Sequence, residues 1–178
     1  MEFRTVVDVE KPGFRIGPCE EMLFVGSCFA YSIGRRFLEE KFRAVVNPYG
    51  VMVNPASILH TIERWDKPCD TAFLTLGTNH IYRLKETGEI VDNCQKRLLS
   101  LFIEEELSVD ACADYLQQAI DILHAANPDT HIVITVSPIR YRKYGYHGSQ
   151  LSKATLLLAT RQVTGASYFP AYEIVNDE

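Results

Sequence analysis

No two cysteines stand at C-x-x-C spacing. The five that are present, Cys19, Cys28, Cys69, Cys94 and Cys112, are odd in number and widely scattered, which argues against a disulfide framework or a structural zinc site. No His/Asp cluster has metal-ligand spacing, so neither a metal nor another cofactor is expected. Apolar runs fall far short of the roughly 18 residues that cross a bilayer. Basic residues are not in excess: 18 Lys and Arg face 23 Asp and Glu, a formal net charge of -5. Such a balance gives no general attraction for nucleic acid or a membrane surface. Met1 leads into Glu2, Arg4, Asp8, Glu10 and Lys11, a charged start unlike an export signal. Together these absences point to a cytoplasmic protein.

What is present is ordinary globular chemistry. Hydrophobic residues make up 47% and charged residues 23% of 178 positions, enough for one domain with a real core. Met22 to Gly26 is a short apolar run ending in glycine, the pattern of a buried strand. The stretch 29–42 has Phe29, Ile33, Phe37 and Leu38 at helical spacing, with Arg35, Arg36, Glu39 and Glu40 opposite. Strand patterns recur at 44–46, 72–76, 131–136 and 167–169. Helix patterns fall at 55–64, opened by Asn54-Pro55 as cap and first residue, at 109–126 with Ala113, Leu116, Ile120 and Leu123 inward, and at 148–163. Residues 81–84 and 89–91 read as a small hairpin on the edge of the fold. This alternation predicts a three-layer α/β/α domain with a mainly parallel sheet. Ligands of such sheets bind beyond the carboxyl ends of the strands. Gly26-Ser27-Cys28, Gly77-Thr78-Asn79-His80 and Ser137-Pro138-Ile139-Arg140 all fall there.

The segment Phe24 to Ala30 reads as a strand, a tight turn and a helix start. A serine or cysteine at that point meets unpaired amide N–H groups and the positive end of a helix dipole. That setting suits a nucleophile or an oxyanion. It equally suits Ser27 as a helix cap beside a small packed Cys28.

Gly26-Ser-Cys-Phe-Ala30 resembles the signature of the GSCFA family. Asn47-Pro-Tyr-Gly50 with Asn54-Pro55, Leu76-Gly-Thr78, Tyr82-Arg-Leu-Lys-Glu-Thr-Gly88, Asn93-Cys94, Thr135-Val-Ser-Pro138, Ser152-Lys-Ala154 and Tyr168-Phe-Pro-Ala-Tyr-Glu-Ile174 are similar to its later blocks, in order along nearly the whole chain. The family is similar to SGNH (GDSL-like) hydrolases, three-layer flavodoxin-like proteins that cleave esters or transfer acyl groups. That resemblance places Cys28 in the nucleophile slot, and a one-residue shift of the turn places Ser27 there. It implies Gly50 and Asn79 as oxyanion donors, Gly50 through its backbone N–H and Asn79 through its side-chain amide. His80, Arg140, His147 and Lys153 are the residues expected to hold substrate; His80, beside Asn79, also serves as the internal candidate for a base. His60, His124 and His131 are expected to be structural or solvated.

Two features depart from the resemblance. The Asp-x-x-His pair of SGNH enzymes, a base and the carboxylate that orients it, occurs nowhere in the sequence. The resemblance places it beyond Glu178, so a C-terminal truncation is expected. The stretch between Ile62 and Ala72 is also shorter than in many members. The implied function is an esterase, acyl hydrolase or acyltransferase for a small-molecule or carbohydrate ester. The alternative is a non-catalytic carbohydrate- or ligand-binding module on the same scaffold.

Overall fold

The computed structural model describes residues 6–9, 11–92, 94 and 97–177. Met1, Glu2, Arg4, Glu10, Asn93 and Glu178, named above, lie outside them. Strand β1 (Glu21–Gly26) leads into helix α1 (Cys28–Glu39), followed by β2 (Arg43–Val46), α2 (Pro55–Arg64) and β3 (Thr71–Leu76). Next come β4 (His80–Leu84), β5 (Ile90–Val91), β6 (Phe102–Glu106) and α3 (Val109–Ala126). The chain ends through β7 (His131–Val136), α4 (Gly145–Thr160), β8 (Ser167–Tyr168) and α5 (Ala171–Asp177).

Five strands form one sheet in the order β2-β1-β3-β7-β8, every pair of neighbours parallel. Gly26 closes β1, and Gly77 and Pro138 follow soon after β3 and β7, so each strand stops where a short loop turns back over the sheet. Leu23, Val25, Leu74, Leu76, Ile134 and Val136 point to one face and pack with α2, α3 and α4. Met22, Phe24 and Phe73 point to the other, under α1, where the Phe24 and Phe73 rings stack at 4.5 Å. Burying each such side chain contributes roughly 1.5–3 kcal/mol. The expected α/β architecture, with helices on both sides of a mainly parallel sheet, is therefore the observed one.

Local details differ from the sequence reading. On α1 the inward side is Ala30, Gly34 and Phe37, while Ile33 and Leu38 are exposed. The helix lies so close to the sheet at Gly34 that a Cβ there would come within 2.6 Å of Val46 Cγ2. The small residues face the sheet because only they fit. The edge hairpin is part of a three-stranded antiparallel sheet, order β5-β4-β6. Its third strand holds the acidic run Glu104-Glu105-Glu106, which gave no strand pattern by hydropathy. Cross-strand partners explain it: Arg83 Nε lies 2.8 Å from Glu105, and Tyr82 donates to Glu104 at 2.8 Å. Helix α4 starts three residues earlier than its pattern, at Gly145, and α5 was not foreseen.

Candidate active site at the carboxyl rim

The sheet order reverses between β1 and β3, since the chain runs outward from β1 to β2 and then returns to β3. Side chains following those two strands flank the crevice where such sheets bind ligands. Residues after β1 supply Ser27 and Cys28; residues after β3 supply Gly77, Thr78 and Asn79.

Gly26 makes the turn. Its φ of 142° is in the region that favours glycine, and an added Cβ would collide with the Thr75 carbonyl and hydroxyl. Ser27 is fully buried and caps α1. Its Oγ accepts from the Phe29 N–H (3.2 Å) and pairs with the Thr75 hydroxyl (3.1 Å), and its N–H donates to Thr75 Oγ1 (3.0 Å). Cys28, the first residue of α1, is exposed. A cap side chain turns back onto the helix, so its successor projects outward. Helix geometry also leaves the Cys28 N–H without an intrahelical acceptor. Ser27→Ala should therefore lower stability by about 1 kcal/mol, through loss of the cap, while Cys28 still reacts with iodoacetamide. Urea denaturation and a mass-spectrometric alkylation assay measure the two effects separately.

Lys153 comes to this crevice from α4. It is 2% exposed, and its ammonium donates to the carbonyls of Gly77 (2.6 Å) and Ser137 (2.7 Å), just past the ends of β3 and β7. The Tyr141 ring lies over it at 5.4 Å. Burial among neutral groups pushes the Lys153 amine down to about 8, and a charge on Cys28 pulls the other way. Burial also pushes the Tyr141 hydroxyl up to about 12, with Cys28 adding to the rise. Cys28 thus acts electrostatically on both Lys153 and Tyr141. Gly77 is required beneath Tyr141: a Cβ there would strike the Tyr141 hydroxyl.

The other expected site residues take varied positions. Asn79 is 2% exposed; its N–H donates to Ser152 Oγ (3.1 Å) and its side-chain nitrogen to the Leu107 carbonyl (2.8 Å). One amide hydrogen is committed there, and the second is the only one the side chain can offer a bound oxygen. Gly50 closes the turn after β2, with φ of 101° and its N–H on the Asn47 carbonyl (2.9 Å). Asn47 accepts the Gly26 N–H (2.9 Å), and its own side-chain nitrogen is buried without a partner. Asn79 Oδ1 and His80 Nδ1 share that state. Unpaired buried polar atoms are rare in folded proteins, and three of them lie in the segments that leave β2 and β3.

His80 stacks on Tyr144 with ring centres 3.7 Å apart, and burial holds its imidazole below the ordinary value against the pull of Glu106 and Glu104. The charges acting on it belong to β6 and Lys143, at the small sheet. Arg140 is exposed, donates to Asn176 (3.2 Å) and, with Tyr141, borders a cleft of about 390 Å³ against the start of α4. His147 is exposed on the first turn of α4. His60 is bound to Asp92 at 2.6 Å on the outer side of α2. Among the described residues no group of three His, Cys, Asp or Glu side chains is placed to hold a metal ion, and no helix is long and apolar enough to cross a membrane.

A model of the GSCFA family matches residues 21–72 and 67–178. No curated protein and no solved structure matches the chain.

Proposed function

The chain belongs to the GSCFA family, and we propose that it is an acyl-transfer enzyme, a hydrolase or acyltransferase for a small-molecule or carbohydrate ester, with Cys28 as nucleophile. The observation that carries this reading is the contrast at the turn: Ser27 is locked under the helix as its cap, and Cys28 is exposed at the strand-order reversal. A thiol is intrinsically a good nucleophile, and a helix start offers N–H groups to the oxyanion that forms as it attacks. Sγ bonds to the ester carbonyl carbon, the C–O bond breaks, and the alcohol leaves with the thiol proton. Water, or a second alcohol, then cleaves the thioester and restores the thiol. The Cys28 N–H and the second amide hydrogen of Asn79 are the donors proposed for the oxyanion. The cleft beside Tyr141 is proposed to receive the rest of the substrate. The five unpaired cysteines support a reducing, cytoplasmic setting.

Mixing the protein with p-nitrophenyl acetate should release a burst of nitrophenolate and leave one acetyl group on the peptide containing Cys28. A broad panel of esters giving neither burst nor adduct, while a sugar ester binds measurably by calorimetry, would favour the binding-module reading.

A further inference from the structure

We propose that the cleft between the loop after β7 and the start of α4 is an anion subsite, in which Arg140 and Arg142 hold a carboxylate or phosphate group carried by the substrate. The inference rests on the acyl-transfer reading for the claim that the anion belongs to an ester, and it names the class of that ester.

Charge pairing across the molecule comes first. Acidic residues outnumber basic ones by 23 to 18, and Arg35, Arg36, Arg43, Arg64 and Arg83 each lie within ion-pair distance of a carboxylate. Lys143, in the same loop as the two cleft arginines, is held by Glu104 at 2.7 Å. Among the described residues no carboxylate pairs with Arg140 or Arg142, and none borders the cleft. Two guanidinium groups left unneutralised on one concavity attract a negative group. Their planar forks match the oxygens of a carboxylate or phosphate.

The cleft is also shaped to keep what it attracts. Its volume, about 390 Å³, is at the small end of ligand pockets and suits one sugar ring or a short acyl chain. Arg140 is set by one bond to Asn176 Oδ1 (3.2 Å), which leaves its other N–H groups to a ligand. Ser149 lines the cleft and is 6% exposed. Its Oγ accepts the Tyr141 N–H at 3.2 Å, and among the described residues its own O–H has no acceptor. A buried hydroxyl with an unspent proton suits a bound oxygen. Tyr141 joins the cleft to the rim: it lines the one, and its hydroxyl reaches Gly77, just past the end of β3, so closely that a Cβ there would strike it. A group held in the cleft is therefore one aromatic ring away from the strand ends.

The test separates binding from turnover. Calorimetry compares glucuronate, inorganic phosphate and glucose at low and physiological salt, and the tighter of the two anions identifies the group preferred. An anion should bind at least roughly tenfold more tightly than glucose, as expected of charge-assisted hydrogen bonds, and should weaken as salt screens the arginines. Arg140→Gln and Arg142→Gln should each lower its affinity roughly tenfold. Arg161→Gln, at the other end of α4, removes the same charge away from the cleft and should change nothing. Turnover compares p-nitrophenyl hydrogen succinate with its uncharged methyl ester. The unaltered protein should favour the acid in kcat/KM, and the double variant should bring the ratio of the two towards one. Anions that bind no better than glucose would overturn the proposal, as would binding that survives the double variant or falls equally in Arg161→Gln. Turnover of both esters without preference, joined to absent anion binding, would sink the subsite and leave the acyl-transfer reading intact. Anion binding lost in the arginine variants, with no ester cleaved and no acyl group on Cys28, would sink that reading and leave the subsite standing.

Discussion

Gly26→Ala should leave little folded protein. Two independent penalties meet at that residue. The backbone is held at φ of 142°, a conformation that costs a side-chain-bearing residue about 1–3 kcal/mol. The added methyl would also lie inside the contact distance of the Thr75 carbonyl and hydroxyl, and overpacking of that kind costs about 1–3 kcal/mol. Together they reach roughly 2–6 kcal/mol, against a total stability of about 5–15 kcal/mol for a typical domain. The strain cannot be relieved at the surface, because β1 and β3 are central strands and the affected loop carries the Ser27–Thr75 bonds. Urea denaturation followed by circular dichroism should show a midpoint shifted far downward, or no transition. A variant of nearly unchanged midpoint would mean that the turn relaxes freely, and the tight β1–β3 approach would lose its claim to shape the site.

Cys28→Ala should have the opposite signature: a protein of normal stability with no catalytic function. The side chain is exposed at the first position of α1, and substitutions at such positions usually change stability by less than about 0.5 kcal/mol. Loss of the nucleophile removes the covalent route entirely, and turnover should fall by on the order of 10⁴–10⁶-fold, as when other covalent catalysts lose theirs. The acetylated peptide seen with p-nitrophenyl acetate should vanish together with the burst. Cys28→Ser should keep only slight activity, since a hydroxyl is a far weaker nucleophile than a thiol near neutral pH. Ser27→Ala is the control, weakening the helix cap and sparing the chemistry. Full activity in Cys28→Ala, joined to an inert Ser27→Ala of intact fold, would move the nucleophile to Ser27.

The sequence by itself determined the architecture of this protein and the neighbourhood of its candidate site. Buried apolar runs ended by glycine or by Ser137-Pro138 marked β1, β3 and β7, and the 3.6-residue period with Asn127-Pro128 marked the full span of α3. A parallel sheet brings its strand ends to one rim, so the order of elements alone placed Ser27, Cys28 and Asn79 at the same end. Strand β6 stayed hidden because Glu104 and Glu105 are held by Tyr82 and Arg83 of β4 and by Lys143 rather than by burial, and pairing leaves no trace in hydropathy. The choice between Ser27 and Cys28 also lay outside the sequence's reach. Either could occupy the turn, and the difference arises only when Thr75 of a neighbouring strand takes the serine hydroxyl inward. Lys153 is the clearest case. Along α4 it is one lysine in a helix, chemically indistinguishable from a solvated side chain or a substrate contact. Docking of that helix over the ends of β3 and β7 removes it from water and leaves it two carbonyl partners. Its altered basicity is a property of that enclosure, created by residues some seventy-six and sixteen positions away in the chain.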